Sequence, residues 1–328
     1  MQCIEKISKD IETFMQDAGL NEAYLFGGAV LDTQVNPNAE IHDYDVCVKD
    51  YDVFMEALQN IERNGCTVSE VMHTHNYYVA VKHPTLGDVD FSCMNPEDNG
   101  IFNIEKIYAK FRKKNEGYVN EIIDNYDAIE SIKQGRIRLA CDPKAEGSYN
   151  LLRRFMAIVG KYGVDTSVDG INQPTIDRIK NEFKEQRHFV PQDKVRCLSR
   201  LTASLRRSKN RQEYVQNFGQ QHLFADAYPV LDKLLNNENF VNHALLERAE
   251  TQKELLELMM LCTPKQDRDE MIDCLRILAK REPARQDKGV KSFVDNIENE
   301  KTSINRLNNE ILTPLMLFKM GQVSKKGA

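Results

Sequence analysis

A pair of glycines that follows a short buried segment constrains this chain most. Tyr24 to Phe26 have the composition of a buried strand, and Gly27 and Gly28 come directly after it. Because glycine has no side chain, a turn at this point lets a phosphate chain approach the backbone closely, at the start of the helix expected from about Ala29. The sequence therefore predicts a strand, a phosphate-binding turn and a helix.

Two aspartates alternate in the next predicted strand. Asp43 and Asp45 flank Tyr44, and alternation along a strand puts both carboxylates on one face while Tyr44 and Val46 face the other. Two carboxylates on one face can share a divalent cation, and hard oxygen ligands suit Mg²⁺. Taken alone, the pair would equally fit an exposed turn before a strand. The glycine pair precedes the aspartates by the number of residues expected for a phosphate-binding turn beside a metal site, and this spacing favours a metal site.

This ordered set resembles the head domain of the DNA polymerase β superfamily of nucleotidyltransferases, specifically the bacterial poly(A) polymerase and CCA-adding branch. The resemblance covers roughly the first half of the chain. The resemblance implies that Gly27, Gly28 and Asp32 bind a nucleoside triphosphate, with Asp32 either fixing the turn or contacting water on the metal. Asp43 and Asp45 become catalytic metal ligands.

A third acidic position follows from the same resemblance. The stretch Leu86 to Ser92 reads as a turn entering a strand, where Asp90 falls at the family's third carboxylate and Asp88 is the near competitor. The resemblance then implies two Mg²⁺ ions, with Mn²⁺ as a substitute, held by Asp43, Asp45 and Asp90.

The neck helix of the family carries Glu-Asp-x-x-Arg, whose Asp and Arg hydrogen-bond the edge of the incoming base. Counted without a gap after Asp142-Pro143, these positions are Tyr149, Asn150 and Arg153. An amide at Asn150 donates as well as accepts, whereas a carboxylate only accepts. The family's preference for ATP and CTP is therefore an expectation that this substitution weakens.

Two further departures concern arginines. Leu31 stands where the family has an arginine near the substrate, so phosphate charge must be met elsewhere. Residues Gly100 to Glu105 keep the apolar positions of another family motif and lose its Arg-Asp pair. Selection of the sugar or nucleotide by those residues stays open.

Charge separates the two halves of the chain. Residues 1–150 carry 14 Lys and Arg against 26 Asp and Glu, while residues 151–328 carry 30 against 24. An acidic metal-binding half joined to a basic half is compatible with a polyanionic partner. We predict that RNA, in terms of the resemblance a tRNA, contacts basic residues of the stretch from 178 to 211; a solvated helical face is the alternative. The predicted RNA-binding residues are Arg178, Lys180, Lys184, Arg206 and Arg207.

Hydrophobic periodicity predicts an α+β chain with two domains. Residues 1–145 form a nucleotidyltransferase head, a small mixed sheet backed by helices, and residues 146–328 form an all-α neck and body. Strands are predicted near 23–27, 43–48, 67–72, 77–82 and 88–94, and head helices at 3–18, 51–64 and 103–114. Body helices are predicted at 151–162, 174–187, 193–207, 210–217, 227–236, 240–248, 251–261, 267–280, 289–298 and 302–318.

Composition sets outer limits. The 328 residues contain no apolar run long enough for a bilayer, and charged residues interrupt the opening helix, so neither a membrane anchor nor a secretory signal is expected. Eight cysteines without a Cys-x-x-Cys pair indicate neither a zinc site nor a disulfide framework. We expect a cytoplasmic protein.

These observations predict a template-independent nucleotidyltransferase that adds nucleotides to RNA 3′ ends. Three alternatives remain: an enzyme that modifies a protein or small molecule, an inactive relative that binds RNA, and a nucleotide sensor. The acceptor, the added base, the number of additions and the oligomeric state stay open.

Overall fold

The computed structural model describes residues 2–36, 38–41, 43–69, 72–73, 77–115, 117–142, 147–185 and 189–280. The chain divides into two compact units, Met1–Asp142 and Pro143–Ala328. Within the described residues the first unit combines a sheet with helices and the second is all α, which confirms the predicted α+β fold class. The roles assigned to residues 1–145 and 146–328 stay predictions.

The first unit is built on a mixed sheet. Its described strands are β1 Glu22–Phe26, β2 Tyr44–Val48, β3 Thr67–Val68, β4 Met72–His73, β5 Tyr77–His83, β6 Gly87–Cys93, β7 Tyr108–Lys114 and β8 Gly117–Ile123. Their order is β3-β5-β6-β2-β1-β7-β8, with β4 paired to β5. The pair β2 and β6 is parallel and the other pairs are antiparallel. The parallel pair carries the candidate carboxylates.

Helices cover one face of this sheet. The helices of the unit are α1 Gln2–Ala18, α2 Gly28–Val35, α3 Tyr51–Arg63 and α4 Ala128–Lys133. The ring of Phe91 in β6 lies 5.5 Å from that of Phe14 in α1 and 4.9 Å from that of Phe54 in α3. All three side chains are buried. Since residues alternate between faces, Asp45 and Asp90 lie on the opposite face of the sheet.

The helix predicted at 103–114 is wrong. Asn103–Glu105 form a single 3₁₀ turn, and Tyr108–Lys114 are strand β7, hydrogen-bonded to both β1 and β8. Apolar residues at intervals of three and four suggested a helix. A turn followed by a strand with both faces buried produces the same spacing, because Tyr108 and Phe111 are both buried although they point to opposite faces.

The second unit consists of packed helices in its described part. They are α5 Gly147–Tyr162, α6 Gln173–Glu185, α7 Pro191–Arg207, α8 Arg211–Gln220, α9 Pro229–Leu235, α10 Glu238–Val241, α11 Gln252–Cys262 and α12 Arg268–Lys280. Helices α5 and α7 approach closely at Gly160, where an added Cβ would lie 2.6 Å from the carbonyl oxygen of Ser204. This contact places the two helices that carry the basic residues discussed below side by side.

The helix predicted at 240–248 is wrong over most of its length, since α10 ends at Val241 and turns follow. Arg211 donates to the backbone carbonyls of Leu246, at 3.0 Å, and Ala249. A side chain thus satisfies carbonyls that turns leave without helical partners. The helices predicted at 289–298 and 302–318 lie outside the described residues. Among the helices that are described, none has the length and hydrophobicity to cross a membrane.

Candidate functional site

Asp45 and Asp90 lie side by side on the sheet face opposite to the one that packs against α1 and α3. Strands β2 and β6 run parallel, and their register pairs Asp45 with Asp90 directly. Directly paired residues point to the same face, with strands about 4.8 Å apart. Both side chains are half-buried, whereas Asp43, just before β2, is exposed. Two predicted carboxylates are thus brought together by strand pairing, and the third lies at the edge.

Asp88, the competitor for the third position, lies on the same face as Asp90, two residues earlier in β6. It is exposed and pairs with Lys82 of β5. Extending the β2–β6 register by one residue puts Asp88 level with Asp43. The register favours Asp90 as the neighbour of Asp45, because only these two share a row of the ladder.

Gly27 is required by the contact between its backbone and Asp45. Its φ of 73° and ψ of −150° belong to a region that residues with a Cβ rarely adopt. A Cβ at this position would lie 2.3 Å from Oδ2 of Asp45. The glycine therefore lets the backbone of the turn pass close to the Asp45 carboxylate.

Helix α2 begins at Gly28, immediately after this turn. Asp32 lies within α2 and is half-buried. Leu31, at the position of the family's arginine, is 3% exposed. A charged guanidinium would be costly there, so the loss of the arginine agrees with a position that packs into the core.

Tyr78 is a site residue that the sequence did not reveal. Its hydroxyl donates to Oδ1 of Asp90 across 2.6 Å. Tyr77, its neighbour, points to the other face and contacts Tyr51 of α3. Alternation within β5 shows that the two tyrosines differ, but only the β5–β6 pairing shows which one meets Asp90. Hydrogen bonds to a ligating carboxylate orient it toward a metal ion.

A cationic group lies on the same face, around Tyr24 of β1. The Nζ atoms of Lys49 and Lys110 lie 4.9 Å and 5.1 Å from the centroid of its ring. Partial burial would raise the pKa of Glu22, but hydrogen bonds from Tyr24, Lys110 and Arg112 outweigh it and lower this pKa from 4.5 to about 2. Lys110 pairs with Glu22 at 2.9 Å. These are cations near the carboxylates that the sequence analysis did not select.

The donor chemistry of this face suits a hard divalent cation. Asp45 and Asp90 offer carboxylate oxygens in adjacent strands, and the backbone of Gly27 lies against Oδ2 of Asp45. Among the described residues no three His, Cys, Asp or Glu side chains converge as a ready-made metal site. The carboxylate pair supplies two ligands of the kind that Mg²⁺ prefers, and the predicted magnesium site with Asp43 as a further ligand stays a prediction.

The predicted base-binding residues belong to the second unit. Asn150 and Arg153 lie in α5, and both are half-buried. On α6, Lys180 and Lys184 are one helical turn apart and share a side, while Arg178 shares its side with Glu182. These positions do not form one basic face on α6.

Arg206 and Arg207 occupy the last turn of α7. Adjacent residues in a helix point about 100° apart, so the two side chains face different directions. Arg196 and Arg200, which were not selected as binding residues, lie on the same side as Arg207 at helical spacing. The signal was present in the sequence as intervals of four and seven residues, but it points to a surface only once α7 and its buried side are known.

No protein-family profile and no curated protein sequence matches the chain. Solved structures do match its fold. A tRNA-processing enzyme in an apo form has a TM-score of 0.61 at 16% identity, covering 98% of this chain and 89% of that one. The Thermotoga maritima CCA-adding enzyme complexed with tRNA has a TM-score of 0.55 at 15% identity, covering 90% and 69%. A CCA-adding enzyme in complex with ATP has a TM-score of 0.52 at 14% identity, covering 90% and 70%.

The chain therefore has the fold of the CCA-adding class of nucleotidyltransferases. This confirms the predicted resemblance at the level of the fold. The identities are too low for these structures to assign an activity, which has to be argued from the residues of this chain.

Proposed function

We propose that this chain is a template-independent nucleotidyltransferase, which transfers a nucleoside monophosphate from a nucleoside triphosphate to the 3′ end of an RNA. The observation that carries the proposal is the direct pairing of Asp45 with Asp90 in the sheet, next to Gly27 at the start of α2. The fold shared with a CCA-adding enzyme complexed with tRNA makes a tRNA the first acceptor to test.

The carboxylates have the role of metal ligands in this proposal. Asp45 and Asp90, together with Asp43, would hold two Mg²⁺ ions, or Mn²⁺ in their place. When bound, such ions activate the attacking hydroxyl and neutralise charge on the phosphate oxygens. Tyr78 orients Asp90 through its 2.6 Å hydrogen bond.

The glycine turn and α2 have the role of the triphosphate site. Gly27 and Gly28 let the phosphates reach the backbone at the helix N-terminus, where N–H groups and the helix dipole favour anions. Asp32 in α2 supports this turn. Lys49 and Lys110 lie on the carboxylate face and supply positive charge in place of the arginine that Leu31 replaces.

The reaction is an in-line displacement at the α-phosphorus. The 3′ oxygen of the acceptor forms a bond to this phosphorus, the bond from the phosphorus to the bridging oxygen of the β-phosphate breaks, and pyrophosphate leaves. The proton of the 3′ hydroxyl passes to water. Asn150 and Arg153 would contact the edge of the incoming base. ATP and CTP are the first substrates to test because the family resemblance implies them, and GTP and UTP are included because Asn150 can also donate to a carbonyl oxygen.

The decisive experiment is pyrophosphate release with each of the four ribonucleoside triphosphates, with and without tRNA. We expect magnesium-dependent release that falls by at least about a hundredfold in Asp45→Asn, since electrostatic stabilisation of the transferring phosphate is lost. Asp52→Asn is the matched control, because Asp52 is an exposed aspartate of the same unit in the first turn of α3. Release that persists in Asp45→Asn would remove this residue from the mechanism.

Acceptor identity needs a separate arm, since buried Leu31 in place of an arginine also suits a nucleotidyltransferase for other acceptors. Labelled nucleotide is incubated with total RNA and, separately, with total protein. We expect label in RNA. Label in protein alone would contradict the RNA acceptor and leave the nucleotidyl transfer chemistry in place.

A further inference from the structure

An arginine row runs along one side of α7. Positions 196, 200 and 207 recur at intervals of four and seven residues, which places Arg196, Arg200 and Arg207 on the same side of the helix. The opposite side holds the buried residues of α7. These three residues are called the α7 arginine row below.

The row lies against the part of α5 that carries the predicted base-binding residues. The guanidinium carbon of Arg196 lies 5.7 Å from the centroid of the Tyr149 ring. The ring of Phe189 meets the same tyrosine edge-on at 6.2 Å. Tyr149 and Arg153 are one turn apart on α5, so the row and the α5 residues form one continuous surface of the second unit.

Three of the four arginines on this surface have no carboxylate partner among the described residues. Arg196 has an ion pair at 3.4 Å with Asp193, one turn earlier in α7. Arg153, Arg200 and Arg207 have neither a hydrogen bond nor an ion pair through their side chains within the described part of the chain. Several unbalanced arginines in one place repel each other, a cost that a bound anion removes.

The pKa of Arg200 is lowered by burial and by the neighbouring arginines. Burial is the main cause that lowers the pKa of its guanidinium, and the neighbouring cations Arg153 and Arg207 lower it further, while Tyr149 acts in the opposite direction. The two neighbouring arginines are thus close enough to act on Arg200 electrostatically. Planar guanidinium groups match phosphate oxygens in a bidentate manner, and an adjacent aromatic ring is typical of surfaces that bind single-stranded nucleic acid.

We propose that the α7 arginine row binds phosphodiester groups of the acceptor RNA near its 3′ end, beside the base-binding positions Asn150 and Arg153. This inference rests on the proposed function for the identity of the anion. It also changes the RNA-binding prediction made from the sequence. Of the predicted residues the row keeps only Arg207, and it adds Arg196 and Arg200.

The test compares two double variants that remove the same charge. Arg200→Gln with Arg207→Gln removes two members of the row, and glutamine keeps helix propensity. Lys233→Gln with Arg248→Gln is the control, since both are exposed cations of the second unit that lie outside the row and outside the predicted RNA-binding residues. Binding to a fluorescent tRNA and to a single-stranded oligoribonucleotide is measured by anisotropy between 50 and 200 mM salt, without nucleotide.

We expect the row variant to bind RNA at least about tenfold more weakly, since a charge-assisted contact contributes on the order of a factor of ten. The slope of log affinity against log salt should also flatten by about 1.4 for the single strand, roughly 0.7 per lost phosphate contact. The control should stay close to wild type. Arg200→Lys with Arg207→Lys should restore the salt slope more fully than the affinity, because lysine keeps the charge and loses the fork.

Three results would overturn the inference. Equal losses in both double variants would show that net charge alone matters. Unchanged RNA affinity in the row variant would remove RNA from the row. A raised KM for the nucleoside triphosphate with unchanged RNA affinity would assign the row to the triphosphate. Thermal unfolding of each variant shows that a loss of binding is not a loss of folding.

The experiments distinguish a failure of the proposed function from a failure of the inference about the row. If wild type releases no pyrophosphate and RNA binding still depends on the row, the proposed function is wrong and the row stands. If wild type transfers nucleotides and the row variant binds RNA like the wild type, the proposed function stands and the inference about the row is wrong.

Discussion

The two units bring their candidate residues together in different ways. In the first unit, Asp45 and Asp90 are far apart in sequence and meet because β2 and β6 pair in one register. In the second, Arg196, Arg200 and Arg207 belong to one helix and share a side through its periodicity. The acidic site therefore depends on long-range strand pairing, and the basic row depends mainly on local structure.

This difference determines which structural changes would disrupt the carboxylate pair and which would disrupt the arginine row. A shift of one residue in a strand register would turn Asp90 toward the face that packs against α1 and α3, so the carboxylate pair is tied to the hydrophobic pattern of β6. The arginine row keeps its alignment as long as α7 is helical. Only its position next to Tyr149 and Arg153 depends on tertiary packing, through the approach of α5 and α7 at Gly160.

The largest expected effect is a loss of pyrophosphate release without a loss of RNA affinity, on substitution of a carboxylate in the first unit. Asp90→Asn should reduce pyrophosphate release by at least about a hundredfold, because the carboxylate adjacent to Asp45 is lost. Asp88→Asn, on the same sheet face, should change release by no more than about twofold. The RNA affinity of both variants should equal that of wild type. The reverse order of the two losses would make Asp88 the third carboxylate.

The next effect tests the contact between the turn and the carboxylate. Gly27→Ala combines an unfavourable φ with a Cβ placed 2.3 Å from Oδ2 of Asp45, so we expect a destabilisation of about 3 kcal/mol and a loss of turnover. Gly87→Ala is the matched control, since Gly87 has a φ of 83° and nothing lies within 4 Å of the added Cβ. It should lose about 1 kcal/mol from backbone strain and keep its turnover. Denaturant unfolding and pyrophosphate release measure the two quantities.

If Gly27→Ala kept its turnover, the close approach of this glycine to Asp45 would have no catalytic significance. Equal destabilisation of the two alanine variants would show that backbone conformation, and not the contact with Asp45, makes glycine necessary at position 27.

A smaller effect is expected where α5 meets α7. Gly160→Ala gains up to about 1 kcal/mol in helix propensity, but its Cβ would lie 2.6 Å from the carbonyl oxygen of Ser204, and such overpacking costs about 1–3 kcal/mol. We expect a net loss of stability on the order of 1 kcal/mol together with weaker RNA binding, since the helices must separate beside the arginine row.

Gly163→Ala is the control for that variant. Its φ of 66° is strained for alanine, but nothing lies within 4 Å of the new Cβ. It should lose a similar amount of stability and retain RNA affinity in the anisotropy assay. Equal RNA affinity in both variants would show that the row does not need the close approach of the two helices.

The smallest effect concerns the pH dependence of the first unit. The pKa of Glu22 is about 2 in the folded chain, below its ordinary value of 4.5. Its stabilisation is therefore fully present above pH 4.5 and is lost as the pH falls from 4.5 toward 2. The Glu22 side chain is 41% exposed, so solvent screening limits the effect to less than about 1 kcal/mol.

Glu22→Gln should accordingly be less stable than wild type at pH 6 and nearly equal to it at pH 2.5. Urea unfolding across this range measures the difference, with Glu56→Gln on the exposed side of α3 as the control. A difference that grew on acidification would contradict the assignment of Glu22 as an ion-paired carboxylate.

Prediction from sequence worked best where chemistry and local pattern coincide. The glycine pair predicted the turn before α2, and the alternation around Asp45 predicted the strand β2, although Asp43 lies just before that strand. The helix predicted over β7 shows the limit, because Tyr108 and Phe111 are buried on opposite faces of a sheet that the local sequence cannot specify. Tyr78 was missed for the same reason.

The sequence by itself determined the α+β class, the glycine turn, the alternation of the aspartates and the helical spacing of the arginines, because each depends on residues within a few positions of one another. Tertiary structure alone decided that Asp90 pairs with Asp45, that Tyr78 reaches Asp90 and that the arginine row meets Tyr149. These contacts join residues far apart in the chain, and burial of the whole core, not local preference, fixes the strand register and helix packing that create them.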